Sequence, residues 1–191
     1  MTPLILNNPE MAPITDEQFY QLCIANRELK LERTAKGALL IMSPTGGGTG
    51  NRNFKIAQQL ANWTDNDGTG IGFDSSTCFK LPNGAERSPD AAWIPLAKWD
   101  FLTPEQQEKF PPICPDFVIE LRSPSDSLKP LQEKMEEYMN NGTRLGWLIN
   151  RKNRSCEIYR QGTGKEVLDN PTSLSVEDVL PGFILNLSLI W

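Results

Sequence analysis

An acidic residue stands in the middle of the strongest strand pattern in this chain, and few folds tolerate that without a partner. The run Asp116-Phe117-Val118-Ile119-Glu120-Leu121-Arg122 is β-branched at its centre. Period-two alternation places Asp116, Val118, Glu120 and Arg122 on one face and Phe117, Ile119 and Leu121 on the other. A carboxylate among such neighbours is costly to bury unless it is paired or bound to a cation. The strand is reached through Pro115-Asp116, and the same Pro-Asp step recurs at Pro89-Asp90, before the apolar run Ala91-Ala92-Trp93-Ile94. Asp90 sits at the start of its own strand, where its side chain can lean toward a neighbour. Lys134 follows on a predicted helix. Carboxylates on core strands beside a basic group point to a divalent cation and to hydrolysis.

The rest of the composition narrows the chemistry. There is no histidine, and the four cysteines, Cys23, Cys78, Cys114 and Cys156, form no C-x-x-C pair. Zinc sites of the usual spacing, histidine triads and histidine general bases are excluded on that ground. A metal here would be held by oxygens, which favours Mg²⁺ or Mn²⁺. The net charge of −5 argues against a nucleic-acid coat protein, whose phosphate contacts need clustered Lys and Arg. It leaves room for an enzyme with a local basic surface. At 191 residues, 39% hydrophobic and 23% charged, residues 1–191 fit one globular domain. No apolar run approaches the roughly 18 residues of a membrane span, and Met1 to Glu10 lacks the basic start and apolar stretch of a secretory signal. The expectation is a cytoplasmic protein.

Punctuation and periodicity place the elements. Thr15-Asp16-Glu17-Gln18 has the form of a capping box and predicts a helix over 16–26, with Phe19, Leu22 and Cys23 at helical spacing. Leu29 to Thr34 and Gly37 to Met42 read as strands around an Ala35-Lys36-Gly37 turn. Ser43 to Gly50 reads as a loop by composition, and its glycines as a mobile flap at the mouth of a site. It is not a phosphate loop, because no Lys-Ser/Thr ending follows. Asn51 opens a helix with Ile56, Leu60 and Trp63 in one row, ending at Asn66-Asp67-Gly68. Strands follow at 70–73, 77–81 and 91–94, with Asn83-Gly84 as the turn between the last two. Thr103-Pro104-Glu105-Gln106 starts a short helix. Leu131, Met135, Tyr138 and Met139 define a helix ending near Gly142. A hairpin spans Leu145 to Tyr159, an acidic turn lies near Glu177-Asp178, and Phe183 to Trp191 reads as a final apolar strand. The fold class is mixed, α/β or α+β, in layers.

Phosphodiester hydrolysis requires a cation to neutralise the phosphate and polarise a water, with a positive group for the developing charge. Asp90 and Glu120 would hold the cation, with the main-chain carbonyl of Leu121 as a third oxygen. Arg122 and Lys134 compete for the positive role.

Pro89-Asp90, then Pro115-Asp116-Phe117-Val118-Ile119-Glu120-Leu121-Arg122-Ser123-Pro124-Ser125-Asp126, then Lys134-x-x-x-Tyr138 and Gly142 resemble the Uma-two family of restriction-endonuclease-like proteins. That family lies within the PD-(D/E)xK nuclease superfamily. The segments from Leu31-Glu32 to Met42-Ser43-Pro44, Trp147-Leu148-Ile149 and Leu180-Pro181-Gly182-Phe183 resemble its flanks, so the likeness covers nearly the whole chain. It implies a restriction-endonuclease-like mixed central sheet flanked by helices, with Asp90 and Glu120 as metal carboxylates. The superfamily lysine should stand two residues after Glu120, where this chain has Arg122, an arginine that cannot readily exchange a proton. The resemblance implies that the lysine has moved onto the next helix as Lys134, acting as base or electrostatic stabiliser. Leu131, Lys134 and Tyr138 share a helix face, so Lys134 would point toward the sheet with Tyr138 orienting it. Many relatives in the superfamily carry an acid on the helix before the motif strands. Here that helix offers no carboxylate before Asp65, and Asn51 or Gln59 stands in as a candidate to hold a metal-bound water.

Simpler structural readings stand beside these. Asp116 reads as a turn cap as readily as a ligand, and Arg122 as an ion-pair partner of Glu120 or Asp116. The leading expectation is a Mg²⁺-dependent (or Mn²⁺-dependent) endonuclease acting on DNA, with Arg122 orienting the phosphate and a homodimer cutting both strands. The alternative is a catalytically degenerate nuclease fold kept as a binding or scaffold module. A third reading, a carboxylate-pair glycosidase, fits the neighbouring Arg and Lys less well.

Overall fold

The chain alternates short strands with helices, and the computed structural model describes residues 4–6, 14–176 and 178–191. In chain order the elements are β1 (Leu4–Leu6), α1 (Asp16–Ala25), β2 (Lys30–Arg33), β3 (Leu39–Met42), α2 (Gly47–Asp67) and β4 (Gly70–Asp74). Next come β5 (Phe79–Lys80), β6 (Glu86–Arg87), β7 (Ala91–Pro95), α3 (Leu96–Trp99), α4 (Pro104–Glu108), β8 (Phe117–Arg122) and α5 (Leu128–Asn140). The chain closes with β9 (Leu145–Asn150), β10 (Ser155–Arg160), β11 (Glu166–Asp169), β12 (Ser173–Val176), β13 (Phe183–Asn186) and a 3₁₀ turn at Leu187–Leu189. Glu177 of the expected acidic turn lies outside the described residues, as do 1–3 and 7–10 of the N-terminal segment.

The large sheet runs β11-β10-β9-β8-β7-β4, and the smaller one β1-β3-β2-β6-β5. In the large sheet β8 and β9 pair in parallel, with α5 as the crossover between them, and the remaining neighbours are antiparallel. Such a crossover is what a parallel pair needs, because a tight turn cannot reverse the chain direction twice. β12 and β13 form a separate two-stranded ribbon.

The alternation read in β8 is realised on both faces. Phe117, Ile119 and Leu121 pack with Ile56 and Leu60 of α2 and with Phe183 and Leu185 of β13. Trp147 stacks on Phe183 and meets Phe117 edge-on, with ring centroids 5.8 and 4.9 Å apart. Val118 joins Met135 and Tyr138 of α5 on the opposite face. The predicted capping box forms, with Thr15 and Gln18 exchanging side-chain bonds to each other's N–H, and Thr103 and Gln106 make the same exchange at the start of α4.

The structure corrects several boundaries. Gly47 to Gly50 is the first turn of α2, so the flap expected there is helix. Glycine is a poor helix former, but burial of Ile56, Leu60 and Thr64 along this helix outweighs local propensity. The Asn83-Gly84 turn joins β5 to the unforeseen short strand β6, with Gly84 at a φ of 86°. The expected strand from Phe183 to Trp191 stops at Asn186. There the Asn186 side chain accepts from Ser188 N at 2.9 Å and caps the 3₁₀ turn.

Candidate active site

Pro89 ends the β7 ladder, because proline has no N–H to continue it. The last antiparallel pair is Ala91 with Ile119, which would leave the next β8 amide, Leu121 N–H, without an acceptor. The Asp90 side chain supplies one: Oδ2 accepts Leu121 N–H at 2.8 Å. Oδ1 accepts from Asn53 Nδ2 of α2 at 2.9 Å. Asp90 is thereby held against β8 immediately beside Glu120.

Glu120 is almost fully buried and is approached from α5. Lys134 Nζ stands 2.8 Å from Glu120 Oε1, and Tyr138 donates its hydroxyl to the same oxygen at 3.2 Å. Lys134 and Tyr138 therefore face the sheet, as their spacing predicts. Tyr138 hydrogen-bonds Glu120 rather than the lysine, whose ammonium lies 5.8 Å from the ring centroid.

The smaller sheet brings a residue that sequence reading missed. Glu32 of β2 is 1% exposed, and its Oε1 accepts from Lys134 Nζ at 2.8 Å and from Ser88 N–H at 3.1 Å. Its other oxygen pairs with Arg87 Nη1 at 3.1 Å, and Arg87 Nε pairs in turn with Glu137 at 2.6 Å. Lys134 also donates to the Ser88 carbonyl at 3.2 Å. Glu32 stands between Leu31 and Arg33 in a strand that also carries Lys30, so its neighbours in sequence lack the apolar signal that marks Glu120. Asn53 was legible, since it shares a helix row with Ile56 and Leu60.

Electrostatics follow from this packing. Burial pushes the Glu120 carboxyl up to about 7, and the charges of Asp90 and Glu32 add to the rise while Lys134 opposes it. Burial alone would lower the Lys134 pKa, but Glu120 and Glu32 outweigh it and hold the ammonium above the ordinary lysine value. Glu32 stays below its usual range because Lys134 and Arg87 outweigh its desolvation. Tyr138 is pushed well above the normal phenol value, by burial and then by Glu120.

The other predicted residues lie elsewhere. Asp116 is buried at the far end of β8, 2.8 Å from Lys98 and 3.9 Å from Arg144. Arg122 pairs with neither Glu120 nor Asp116: its Nε donates to Asp126 O at 3.0 Å and its Nη1 to Asn150 Oδ1 at 3.1 Å. Asn51 is exposed on α2. Gln59 clamps Asn186, accepting its N–H at 2.7 Å. Asp90, Glu120, Leu121, Lys134, Glu32 and Asn53 instead line one cleft of about 890 Å³.

The donors in this cleft fit a hard cation. Among the described residues no three Asp, Glu or Cys side chains cluster closely enough to form a metal site by themselves. Asp90 and Glu120 therefore require additional oxygens, from the Leu121 carbonyl, water or Asn53. The Asn53 Oδ1 is buried with no hydrogen-bond partner among the described residues, an acceptor of the kind a hydrated cation satisfies. The four carboxylates of Asp90, Glu120, Glu32 and Glu137 also outnumber the charges of Lys134 and Arg87.

The family model described as "Putative restriction endonuclease" (Uma2) matches residues 16–188. The fold resembles the crystal structure of "a putative nuclease belonging to DUF820" from Anabaena variabilis. The two share 20% sequence identity and a TM-score of 0.76, over 93% of this chain and 97% of that one. No curated protein matches the chain in sequence.

Proposed function

This chain belongs to the Uma2 family, matched over residues 16–188, and from that premise we propose that it cleaves DNA by phosphodiester hydrolysis with Mg²⁺ or Mn²⁺ held at Asp90 and Glu120. The observation that supports this most is the convergence of Asp90 on the Leu121 amide beside Glu120, with the Lys134 ammonium 2.8 Å away. Asp90, Glu120 and the Leu121 carbonyl would hold the ion, which when bound neutralises phosphate charge and polarises a water.

The chain's own groups prepare the site for that. Asn53 fixes the Asp90 rotamer and Tyr138 fixes Glu120. Lys134, kept charged by Glu120 and Glu32, is a poor proton acceptor. Of the two roles left open by the sequence, it takes the electrostatic one, positive charge set where negative charge develops on the phosphate. Arg122 braces the loop at 123–127 that borders the cleft, in place of the phosphate contact first expected of it. The exposed Ile184 and Leu189 offer an apolar surface for the homodimer that two-strand cleavage would use.

A scaffold reading is favoured by one observation, the lack of a three-carboxylate cluster among the described residues. Supercoiled plasmid separates the two. The nuclease reading expects relaxation with Mg²⁺ or Mn²⁺, none in EDTA, and none with Glu120→Gln. Absence of both cleavage and calorimetric cation binding would overturn the nuclease reading and favour the scaffold.

A further inference from the structure

Two guanidinium groups on the cleft wall have no part in the chemistry above. Arg52 comes from the second turn of α2 and Arg151 from the turn between β9 and β10, and both line the cleft that holds Asp90 and Glu120. Arg52 is fixed by main-chain oxygens: Nε donates to Ile190 O at 2.7 Å, Nη1 to Gly48 O at 2.5 Å and Nη2 to Trp191 O at 3.4 Å. These bonds orient its plane and engage no Asp or Glu side chain. Arg151 is held differently. Its Nε is buried and has no hydrogen-bond partner among the described residues.

No Asp or Glu side chain pairs with either arginine among the described residues, although this chain carries a net charge of −5. The two groups also repel: burial and then the Arg52 charge lower the Arg151 pKa. Like charges converging beside a buried, unsatisfied donor are unfavourable unless an anion joins them. The surroundings leave space for one. Gly46 and Gly47 line the same cleft, and a Cβ at either would meet nothing within 4 Å. The N-cap of α2, Gly46, brings no side-chain acceptor to the first amides of that helix, so the local dipole adds to the positive field.

We propose that Arg52 and Arg151 together bind a backbone phosphate of the nucleic-acid strand whose adjoining phosphodiester lies at Asp90 and Glu120. The assignment rests on the nuclease reading for the identity of the ligand, and on the arginine pair for the site. Guanidinium forks match phosphate oxygens bidentately.

The test uses Arg151→Gln and Arg151→Lys, with Arg52→Gln as the second site. Arg151 makes no side-chain hydrogen bond among the described residues, so its variants are expected to keep the melting temperature. Affinity for a short labelled duplex is read by anisotropy in EDTA across a salt series, and inorganic pyrophosphate is titrated by calorimetry. The expected result is weaker duplex binding in both glutamine variants, a salt slope reduced by about 1 for each arginine removed, and partial recovery in Arg151→Lys. Unchanged affinity and slope in variants of a protein that cleaves DNA would overturn the phosphate site and leave the nuclease reading intact. Pyrophosphate binding lost in Arg151→Gln, in a protein that neither binds nor cleaves DNA, would support the anion site while the nuclease reading fails. A wild-type protein that binds neither probe would overturn the site.

Discussion

The Glu32 carboxylate and the Lys134 ammonium lie 2.8 Å apart although 102 positions separate them in the chain. Through that contact the small sheet is joined to α5, and Lys134 becomes the shared counter-ion of Glu32 and Glu120, one carboxylate from each sheet. The site is therefore an assembly of both sheets, with one ammonium shared between a carboxylate of each and Arg87 as the second partner of Glu32.

Removing that ammonium should be costly. Lys134→Met leaves two buried carboxylates without their common partner, and loss of about 3–5 kcal/mol in urea unfolding is expected. Adding Glu32→Gln should recover part of it, with a coupling of roughly 0.5–3 kcal/mol in the double-mutant cycle. Additive effects would mean that the pair does not interact in solution.

Asp90→Asn should separate catalysis from folding. Asparagine retains an oxygen for the Leu121 amide, so thermal stability should stay near wild type. The loss of charge should lower plasmid cleavage by at least about a hundredfold. Matched loss of stability and activity would assign Asp90 a structural role only.

Stability should fall as pH rises from about 4.5 to about 7. Burial pushes the Glu86 carboxyl up to about 7 despite Arg33 Nε at 2.5 Å. A carboxyl whose folded pKa exceeds its unfolded one keeps a proton that the unfolded chain has lost. Its contribution is complete below the unfolded value and is lost as pH rises through the folded one. For Glu86 that window runs from the ordinary 4.5 to about 7, and Glu120, also near 7, acts in the same direction. Urea midpoints across this window should decline, and Glu86→Gln should flatten the decline. An equal slope in the variant would remove Glu86 as its source.

Gly70 is a packing constraint. A Cβ there would lie 2.3 Å from the Trp93 ring, a rigid neighbour with little freedom to move. Gly70→Ala should cost about 1–3 kcal/mol, measured by thermal or urea unfolding. A neutral result would mean that Trp93 repacks.

Much of this was legible in sequence because its causes are local. The alternation in β8, the Thr15–Gln18 capping box, the helix start at Thr103-Pro104 and the Leu131-Lys134-Tyr138 row each depend on neighbours within a few residues, and each appears in the fold. The hidden parts depend on tertiary contacts. Glu32 lies in a short strand whose ion partners, Arg87 and Lys134, arrive from distant segments. Gly47 to Gly50 is helical because the body of α2 is buried, a consequence invisible in a run of glycines. Arg122 alternates onto the Glu120 face, but the return of β9 places Asn150 beside it in register and draws the guanidinium away.

The account turns on Asp90 and Glu120 sharing one cation. Crystals soaked in Mn²⁺ and measured at the manganese absorption edge address it directly. The prediction is an anomalous peak in contact with both carboxylates, absent in Asp90→Asn. Manganese bound elsewhere, or the two carboxylates diverging with no shared ion, would contradict it.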